Sequence, residues 1–91
     1  MSAEEIEEAV EFIVEEVPGA TYVTVTRGFD VQDSRIRDLG WSVRARVPRM
    51  GKRGQLLGRG SDEEVYGDGD TPLAAAEKAL QFYQWRREGK I

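Results

Sequence analysis

The acidic and basic residues of this chain occupy separate stretches of the sequence. Residues 1–20 contain seven carboxylates and no basic residue, residues 21–60 contain nine basic residues against three acids, and residues 61–91 contain seven acids against four bases. In a chain of 91 residues with a net charge of −4, this segregation predicts an acidic helix and a basic sheet that face solvent as separate surfaces. Such surfaces favour contact with charged macromolecules over a buried small-molecule pocket.

The length of the chain allows a single hydrophobic core. A chain of this size buries only about two thirds of its unfolded surface, which is too little to divide between two cores. We therefore expect one domain that spans residues 1–91. Cysteine and histidine are absent, which excludes disulfide bonds, cysteine- or histidine-ligated metal sites and any catalytic group that needs an imidazole base. The sequence predicts no metal, no cofactor and a fold stabilised by packing alone.

The hydropathy pattern contains no membrane signal. No apolar run approaches the ~20 residues required to cross a bilayer. The acidic start at residues 1–5 is the opposite of the basic region that begins a secretory signal. We therefore expect a cytoplasmic protein with no membrane partner.

Apolar residues at helical spacing predict a first helix between Ser2 and Val17. Ser2 is the expected N-cap because Glu5 follows three residues later, and Pro18 stops the helix. Phe12 lies beside the apolar stripe, where it either widens the buried face, which is the interpretation we favour, or is exposed. The stripe itself consists of Ile6, Ala9, Val10, Ile13, Val14 and Val17.

A second helix is predicted from Thr71 to about Arg87. Thr71 suits the N-cap and Pro72 suits the first helical position. Phe82 and Trp85 point away from the inner face, where they either cover a loop or form an exposed aromatic anchor for a partner or a second copy. The inner face is expected to consist of Leu73, Ala76, Ala79, Leu80 and Tyr83.

The middle of the chain predicts antiparallel strands. Residues 20–27 and 41–47 alternate in polarity, and residues 55–59 return as the next strand to complete a hairpin with a basic tip. Residues 63–66 either extend that strand or form a short fourth one, and residues 67–70 are expected to be a loop. The core face of the second strand is expected to carry Trp41, Val43, Ala45 and Val47.

Residues 28–40 lack a clear pattern and predict a long loop between the first two strands. Thirteen residues exceed the length of a hairpin turn, so this loop either is functional or holds a short helix capped by Ser34. The alternative that we favour is that Phe29, Ile36 and Leu39 pack over an edge of the core.

These elements predict an α+β fold with the order αβββα. Two helices on one face of a three-stranded antiparallel sheet, or a four-stranded one if residues 63–66 form a separate strand, bury both apolar stripes. The other face of the sheet is then exposed to solvent.

Four glutamates form a line on the outward side of the first helix. Their spacing places consecutive carboxylates about 5 Å apart along the helix axis, comparable to the phosphate spacing of one nucleic-acid strand. The line either imitates a phosphate backbone toward a protein with a basic surface, or it is a solvated face that keeps the chain soluble. These residues are Glu4, Glu8, Glu11 and Glu15.

Six basic residues are expected on the outer sheet face and the hairpin tip. They either grip nucleic-acid phosphates or pair with the protein's own acids. Tyr22 and Tyr66 are the aromatic residues placed to stack bases beside them. The basic set consists of Arg44, Arg46, Arg49, Lys52, Arg53 and Arg59.

The chain resembles two groups of known proteins, the first of them in its topology. The element order, with residues 58–61 ahead of an alanine-rich helix at residues 74–80, resembles the topology of double-stranded-RNA-binding domains. Those domains place lysines at the start of the last helix, whereas this chain has Asp68, Asp70 and Glu77 in that region. The resemblance therefore extends to the topology and not to the binding residues.

The chain also resembles small phage-encoded α/β sandwich proteins. Trp41, the glycines Gly54, Gly58 and Gly60, and residues 71–80 carry this resemblance. Proteins of that kind are often accessory factors, and some inhibit host defence or transcription machinery by binding it. The resemblance implies a protein-binding role without catalysis.

We therefore expect a non-enzymatic binding protein that contacts a host protein with a basic surface. The contact uses either the acidic helix or the Phe82 and Trp85 pair, in the manner of a phage-type inhibitor of host nucleic-acid-handling or defence machinery; a homodimer is also compatible with this pair. The alternative is a nucleic-acid-binding module that uses the basic sheet face. Catalysis ranks last because no residue pair has the base, nucleophile or metal spacing that a reaction needs.

Overall fold

The computed structural model describes residues 3–51 and 62–90. The three strands form one antiparallel sheet in the order β1-β2-β3. The predicted α+β fold, with a helix at each end of three strands, is confirmed. The elements are α1 (Ala3–Glu16), β1 (Tyr22–Gln32), β2 (Arg35–Val47), β3 (Glu63–Gly69) and α2 (Pro72–Arg87).

The core lies between the two helices and one face of the sheet. Helix α2 packs on β2 and β3, and α1 packs on α2 and β1. The predicted alternation in β2 is confirmed, because its core face is buried while Arg44 and Arg46 are exposed. The buried residues of the core are Ala9, Ile13, Val17, Trp41, Val43, Ala45, Val47, Met50, Val65, Ala75, Ala76, Ala79 and Tyr83.

Helix α1 buries a narrower stripe than its sequence predicts. Ala9, Ile13 and Val17 are fully buried, and Phe12 packs against the core from the side, as expected. Val14 is exposed, because α1 contacts α2 and the start of the sheet on one side only. The predicted N-cap Ser2 lies outside the described residues.

Helix α2 begins as the sequence predicts. The Thr71 Oγ1 atom accepts a hydrogen bond of 3.1 Å from the Ala74 N–H, and Pro72 occupies the first turn. Such a cap satisfies one of the N–H groups that a helix start leaves without a partner. Of the predicted inner face, Ala76, Ala79 and Tyr83 are buried and Leu73 and Leu80 are partly buried, and Ala75 is buried as well.

Strands β1 and β2 form one long hairpin, so the predicted loop over residues 28–40 is wrong. Pairing continues to Gln32 opposite Arg35. Asp33 and Ser34 form the two-residue turn with φ values of 52° and 64°, which is the left-handed backbone that a type I′ turn requires. Ser34 therefore belongs to a turn and caps no helix.

The distal part of this hairpin, residues 28–40, extends beyond the helices and is called the arm below. A shift in register after Gly28 leaves Leu39 as an extra residue in β2, which is a β-bulge. The prediction that Phe29, Ile36 and Leu39 pack over the core edge is wrong, because each is more than half exposed. The arm contributes to the length of the molecule, whose principal extents are 46, 29 and 20 Å.

Strand β3 covers residues 63–66, for which the sequence predicts an extension of the preceding strand or a short fourth strand, and most of the predicted loop at residues 67–70. Glu63–Gly69 pairs along β2 from Val47 to Trp41, so residues 67–69 belong to a strand and not to a loop. The predicted strand at residues 55–59 lies outside the described residues. No helix within residues 3–51 and 62–90 is long and apolar enough to span a membrane.

Candidate functional site

The predicted acidic line lies on the solvent side of α1. Burial of Ala9, Ile13 and Val17 turns the opposite side of the helix outward. All four carboxylates of the line are exposed. Their order along the helix is Glu4, Glu8, Glu11 and Glu15.

Packing of α1 on α2 converts part of this line into a groove. The groove has a volume of about 250 Å³, and α2 supplies two of its lining residues. Phe12 and Leu73 are only partly buried, so they give the groove an apolar floor between acidic walls. We call this the acidic groove; its lining residues are Glu8, Glu11, Phe12, Glu15, Leu73 and Glu77.

The carboxylates of the acidic groove differ from those of the predicted line at two positions. Glu4 belongs to the line and does not line the groove, and Glu77 lines the groove although sequence reasoning did not select it for this role. Glu77 lies on α2, and only the packing of the two helices brings it toward Glu11 and Glu15. In the sequence, Glu77 is recognisable only as a carboxylate one helical turn after Leu73. A carboxylate in such a position is usually an ordinary surface residue.

Four carboxylates line this groove, and its lining contains no cationic residue. Within residues 3–51 and 62–90, no ion pair uses Glu8, Glu11, Glu15 or Glu77. Adjacent carboxylates on one helix repel each other by a few tenths of a kcal/mol per pair. A bound cationic group removes that repulsion and gains attraction at the same time.

The shape of the groove favours a protein segment over a small molecule. Pockets for small ligands are typically larger, about 300–1,000 Å³, and enclose most of the ligand. A shallow groove with an apolar floor and acidic walls fits an aliphatic or aromatic side chain flanked by lysine or arginine, whose methylene stems also cover apolar surface.

Phe82 and Trp85, the second predicted contact surface, differ in their surroundings. Phe82 is partly buried against the core, and its ring centroid lies 4.9 Å from that of Tyr66 on β3. Trp85 is exposed. The structure therefore places Phe82 at the edge of the core, where it contributes to packing, and leaves Trp85 as the exposed aromatic residue of the pair.

The predicted basic surface contains acids as well as bases. Arg44 and Arg46 lie on the outer face of β2, and Arg49 is exposed just after that strand. Arg44 forms an ion pair of 3.2 Å with Glu64, and the Arg46 guanidinium lies 5.2 Å from the ring centroid of Tyr22. The remaining predicted basic residues, Lys52, Arg53 and Arg59, lie outside the described residues.

Strand register explains this mixture. Arg46 has Tyr22 on one side and Glu64 on the other, and Arg44 lies beside Tyr66. Asp68 lies beside Ser42 on the same face. The outer face of β2 and β3 therefore carries arginines and carboxylates side by side and is not a continuous basic surface.

The described residues contain no group of three or more carboxylate or other side chains arranged to hold a metal ion. Comparison with protein-family models, curated proteins and solved structures gave no match to this chain. Geometry and charge make the acidic groove the candidate site.

Proposed function

We propose that this chain is a non-enzymatic binding protein whose acidic groove receives a basic segment of a partner protein. The observation that carries the proposal is that Glu8, Glu11 and Glu15 from α1 line one groove together with Glu77 from α2 and the apolar Phe12 and Leu73. If the carboxylates only kept α1 solvated, no carboxylate from a second helix would be needed. A carboxylate from a second helix and a partly exposed Phe12 give the surface a shape that a partner can fill.

The proposed partner is a protein with a basic surface of the kind that binds nucleic acid. The line from Glu4 to Glu15 has a spacing similar to that of phosphates, so DNA or RNA is expected to compete with this chain for the partner. Inhibition of a host nucleic-acid-handling or defence protein is the biological role that we propose for such mimicry. A cytoplasmic location belongs to the same proposal and agrees with the lack of cysteine.

The nucleic-acid-binding alternative receives less support from the geometry. On the outer sheet face, Arg44 is paired with Glu64, and Asp68 is exposed on the same side. Phosphate binding depends on net positive charge at the contact. Where β2 pairs with β3, two arginines are offset by two carboxylates, so this part of the face has no net positive charge.

A matched pair of triple variants tests the groove. Glu8→Gln, Glu11→Gln and Glu15→Gln together remove three groove carboxylates, whereas Glu5→Gln, Glu7→Gln and Glu16→Gln remove three exposed carboxylates of the same helix that do not line it. Glutamine keeps a similar helix propensity. Both variants therefore change the net charge equally, and the relief of like-charge pairs leaves α1 at least as stable.

The probe is a synthetic peptide rich in lysine and arginine with one leucine, titrated into the isotope-labelled chain and followed by NMR. We expect shift changes around Phe12 and Leu73 and a Kd that rises about tenfold in the groove variant, because each exposed ion pair contributes about 0.5 kcal/mol. The control variant is expected to change the Kd by less than about threefold. Equal losses in both variants, or no shifts at the groove at low salt, contradict the proposal.

A further inference from the structure

One face of the arm is apolar and uncovered in the described structure. Phe29, Val31 and Ile36 are 54%, 66% and 72% exposed. In β1, Val23 and Val25 have the same parity as Phe29 and Val31 and pack against the core, and side chains at alternate positions share a face. The apolar face of the arm therefore continues the core-facing side of the sheet beyond the helices.

The opposite face of the arm is polar toward its tip. Asp30 lies opposite Arg37 and forms an ion pair of 3.3 Å with it, and Gln32 lies opposite Arg35. The arm is thus a two-sided ribbon with Phe29, Val31 and Ile36 on one side, while Leu39 lies beside Gly28 on the other side at the base. An isolated two-stranded ribbon is only marginally stable in water and gains stability when its apolar face is covered.

The base of the arm is fixed to the core by Arg27. Its guanidinium lies 5.4 Å from the Phe29 ring centroid and 5.6 Å from the Trp41 ring centroid, and it forms an ion pair with Asp38. Because Trp41 belongs to the core, the apolar face of the arm begins at the core and has a charged rim at its base. A hydrophobic centre with a polar rim is the usual composition of a protein interface.

The charge of the arm favours a second copy of the chain as the partner. Together with Arg27, which is ion-paired to Asp38 at its base, the arm contains three arginines and three aspartates and is neutral, although the whole chain has a charge of −4. A strongly acidic or basic partner gains no electrostatic attraction from this segment, whereas two copies of it meet without net repulsion. A twofold contact requires one surface that complements itself, and a neutral ribbon with one apolar face meets that requirement.

We propose that the arms of two copies of this chain pack face to face and form a twofold-symmetric dimer. The exposed apolar area of Phe29, Val31 and Ile36 is on the order of 400 Å². With the stems of flanking side chains, two facing arms bury about 1,000 Å², near the lower limit of a specific interface. The dimer is therefore weak and dissociates on dilution.

Sedimentation equilibrium of the full chain, from low micromolar to millimolar concentration, measures this association. Val31→Thr combined with Ile36→Thr keeps the β-branched shape of both residues and so preserves the hairpin. We expect this variant to raise the dimer Kd at least about tenfold, because both substitutions replace apolar groups at the interface with a hydroxyl group. Val14→Thr, at a site on α1 that is 60% exposed, is the matched control and leaves the Kd unchanged.

Disulfide cross-linking tests the geometry, because the chain has no cysteine of its own. Val31→Cys and Gln32→Cys each introduce one thiol, on opposite faces of the arm. Under mild oxidation we expect a covalent dimer to form rapidly from Val31→Cys and slowly from Gln32→Cys. A wild-type chain that is monomeric at millimolar concentration overturns the proposal, and so does equal cross-linking at the two positions or a dimer that the threonine variant leaves intact.

Discussion

At the scale of single residues, the packing of α2 on β3 depends on Gly67. A Cβ atom added at this position would lie 2.3 Å from the Ala79 backbone nitrogen and 2.5 Å from the Ala75 carbonyl oxygen. Both are backbone atoms of α2, so neither moves without a shift of the helix. The alanines of α2 and the glycine of β3 together allow a helix and a strand to approach this closely.

Gly67→Ala is therefore expected to destabilise the fold by about 3 kcal/mol, because core overpacking forces backbone displacement. Urea unfolding measures the free-energy difference. Gly28→Ala is the matched control: its new Cβ meets only the Leu39 side chain, at 3.5 Å, and alanine lowers the entropy of the unfolded chain. We expect the control to change stability by less than about 1 kcal/mol. A cost at Gly67 no greater than that at Gly28 contradicts this account of the packing.

Residue-level prediction succeeded where the rule is local and failed where the partner is distant in sequence. The Thr71 cap and the alternation from Trp41 to Val47 are set by neighbouring residues, and both are present. In the sequence, Arg86 is one of two adjacent arginines near the end of α2. In the structure it donates hydrogen bonds of 2.6 Å to the carbonyl oxygens of Met50 and Gly51, which no spacing rule indicates.

At the scale of secondary-structure elements, both helices were predicted within about two residues and the hairpin was not. Its turn, Asp33-Ser34, contains no glycine, although glycine is the usual signal for a two-residue turn. The bulge at Leu39 interrupts the alternation on the return strand. Gly28 and Gly40 are the end residues of the arm, and glycines at both ends of a segment favour a loop. The side chains of the arm are mostly exposed, and the alternation of Phe29 and Val31 with Asp30 and Gln32 is too short to identify a strand.

The junction of the arm gives a pH-dependent prediction. The hydrogen bond from Arg27, followed by the one from the Gly40 N–H, lowers the pKa of Asp38 below its ordinary value of 3.8. A carboxyl group whose folded pKa is depressed stabilises the fold above its unfolded pKa, and this contribution disappears as the pH falls through the folded value. Protonation of Asp38 is thus expected to weaken the junction below pH 3.8.

Thermal unfolding of the wild type and of Asp38→Asn across a pH series measures this contribution. The variant keeps an acceptor for Gly40 and loses the charge that pairs with Arg27. We expect the wild type to be the more stable protein near neutral pH and the difference to shrink below pH 3.8. Asp62→Asn, outside the arm, serves as a control for net charge. A stability difference that is constant with pH shows that Asp38 acts through packing and not through its charge.

At the scale of the whole molecule, the segregation of charge along the sequence only partly becomes a segregation in space. The acids of α1 form one surface, as predicted, and Glu77 of α2 extends it. Strand pairing, however, places Glu64 and Asp68 of β3 beside the basic residues of β2. The charge of a sequence segment predicts the surface charge of the helix, because a helix presents residues from one segment. It does not predict the surface charge of the sheet, because neighbouring strands come from separate segments.

This mixed surface gives the last prediction, which separates the proposed function from its alternative. We expect the wild-type chain to show no detectable binding of a fluorescent single-stranded oligonucleotide at about 0.15 M salt, because the affinity of such contacts comes from net phosphate neutralisation. Glu64→Gln with Asp68→Asn leaves Arg44 and Arg46 without an acidic neighbour on β3 and is expected to produce weak binding. Its salt dependence should steepen by about 0.7 in logarithmic slope for each phosphate contacted. Fluorescence anisotropy measures both quantities.

The control for that experiment is Glu5→Gln with Glu7→Gln, which makes the same change in net charge on α1 and is expected to give no binding. If binding appears in this control as well, total charge and not the sheet face governs the contact. If the wild type itself binds with a steep salt dependence and Arg46→Glu abolishes it, the outer sheet face is the functional surface. The carboxylates of the acidic groove then act as a solvated helix face, because a chain that binds phosphates directly has no need to imitate them.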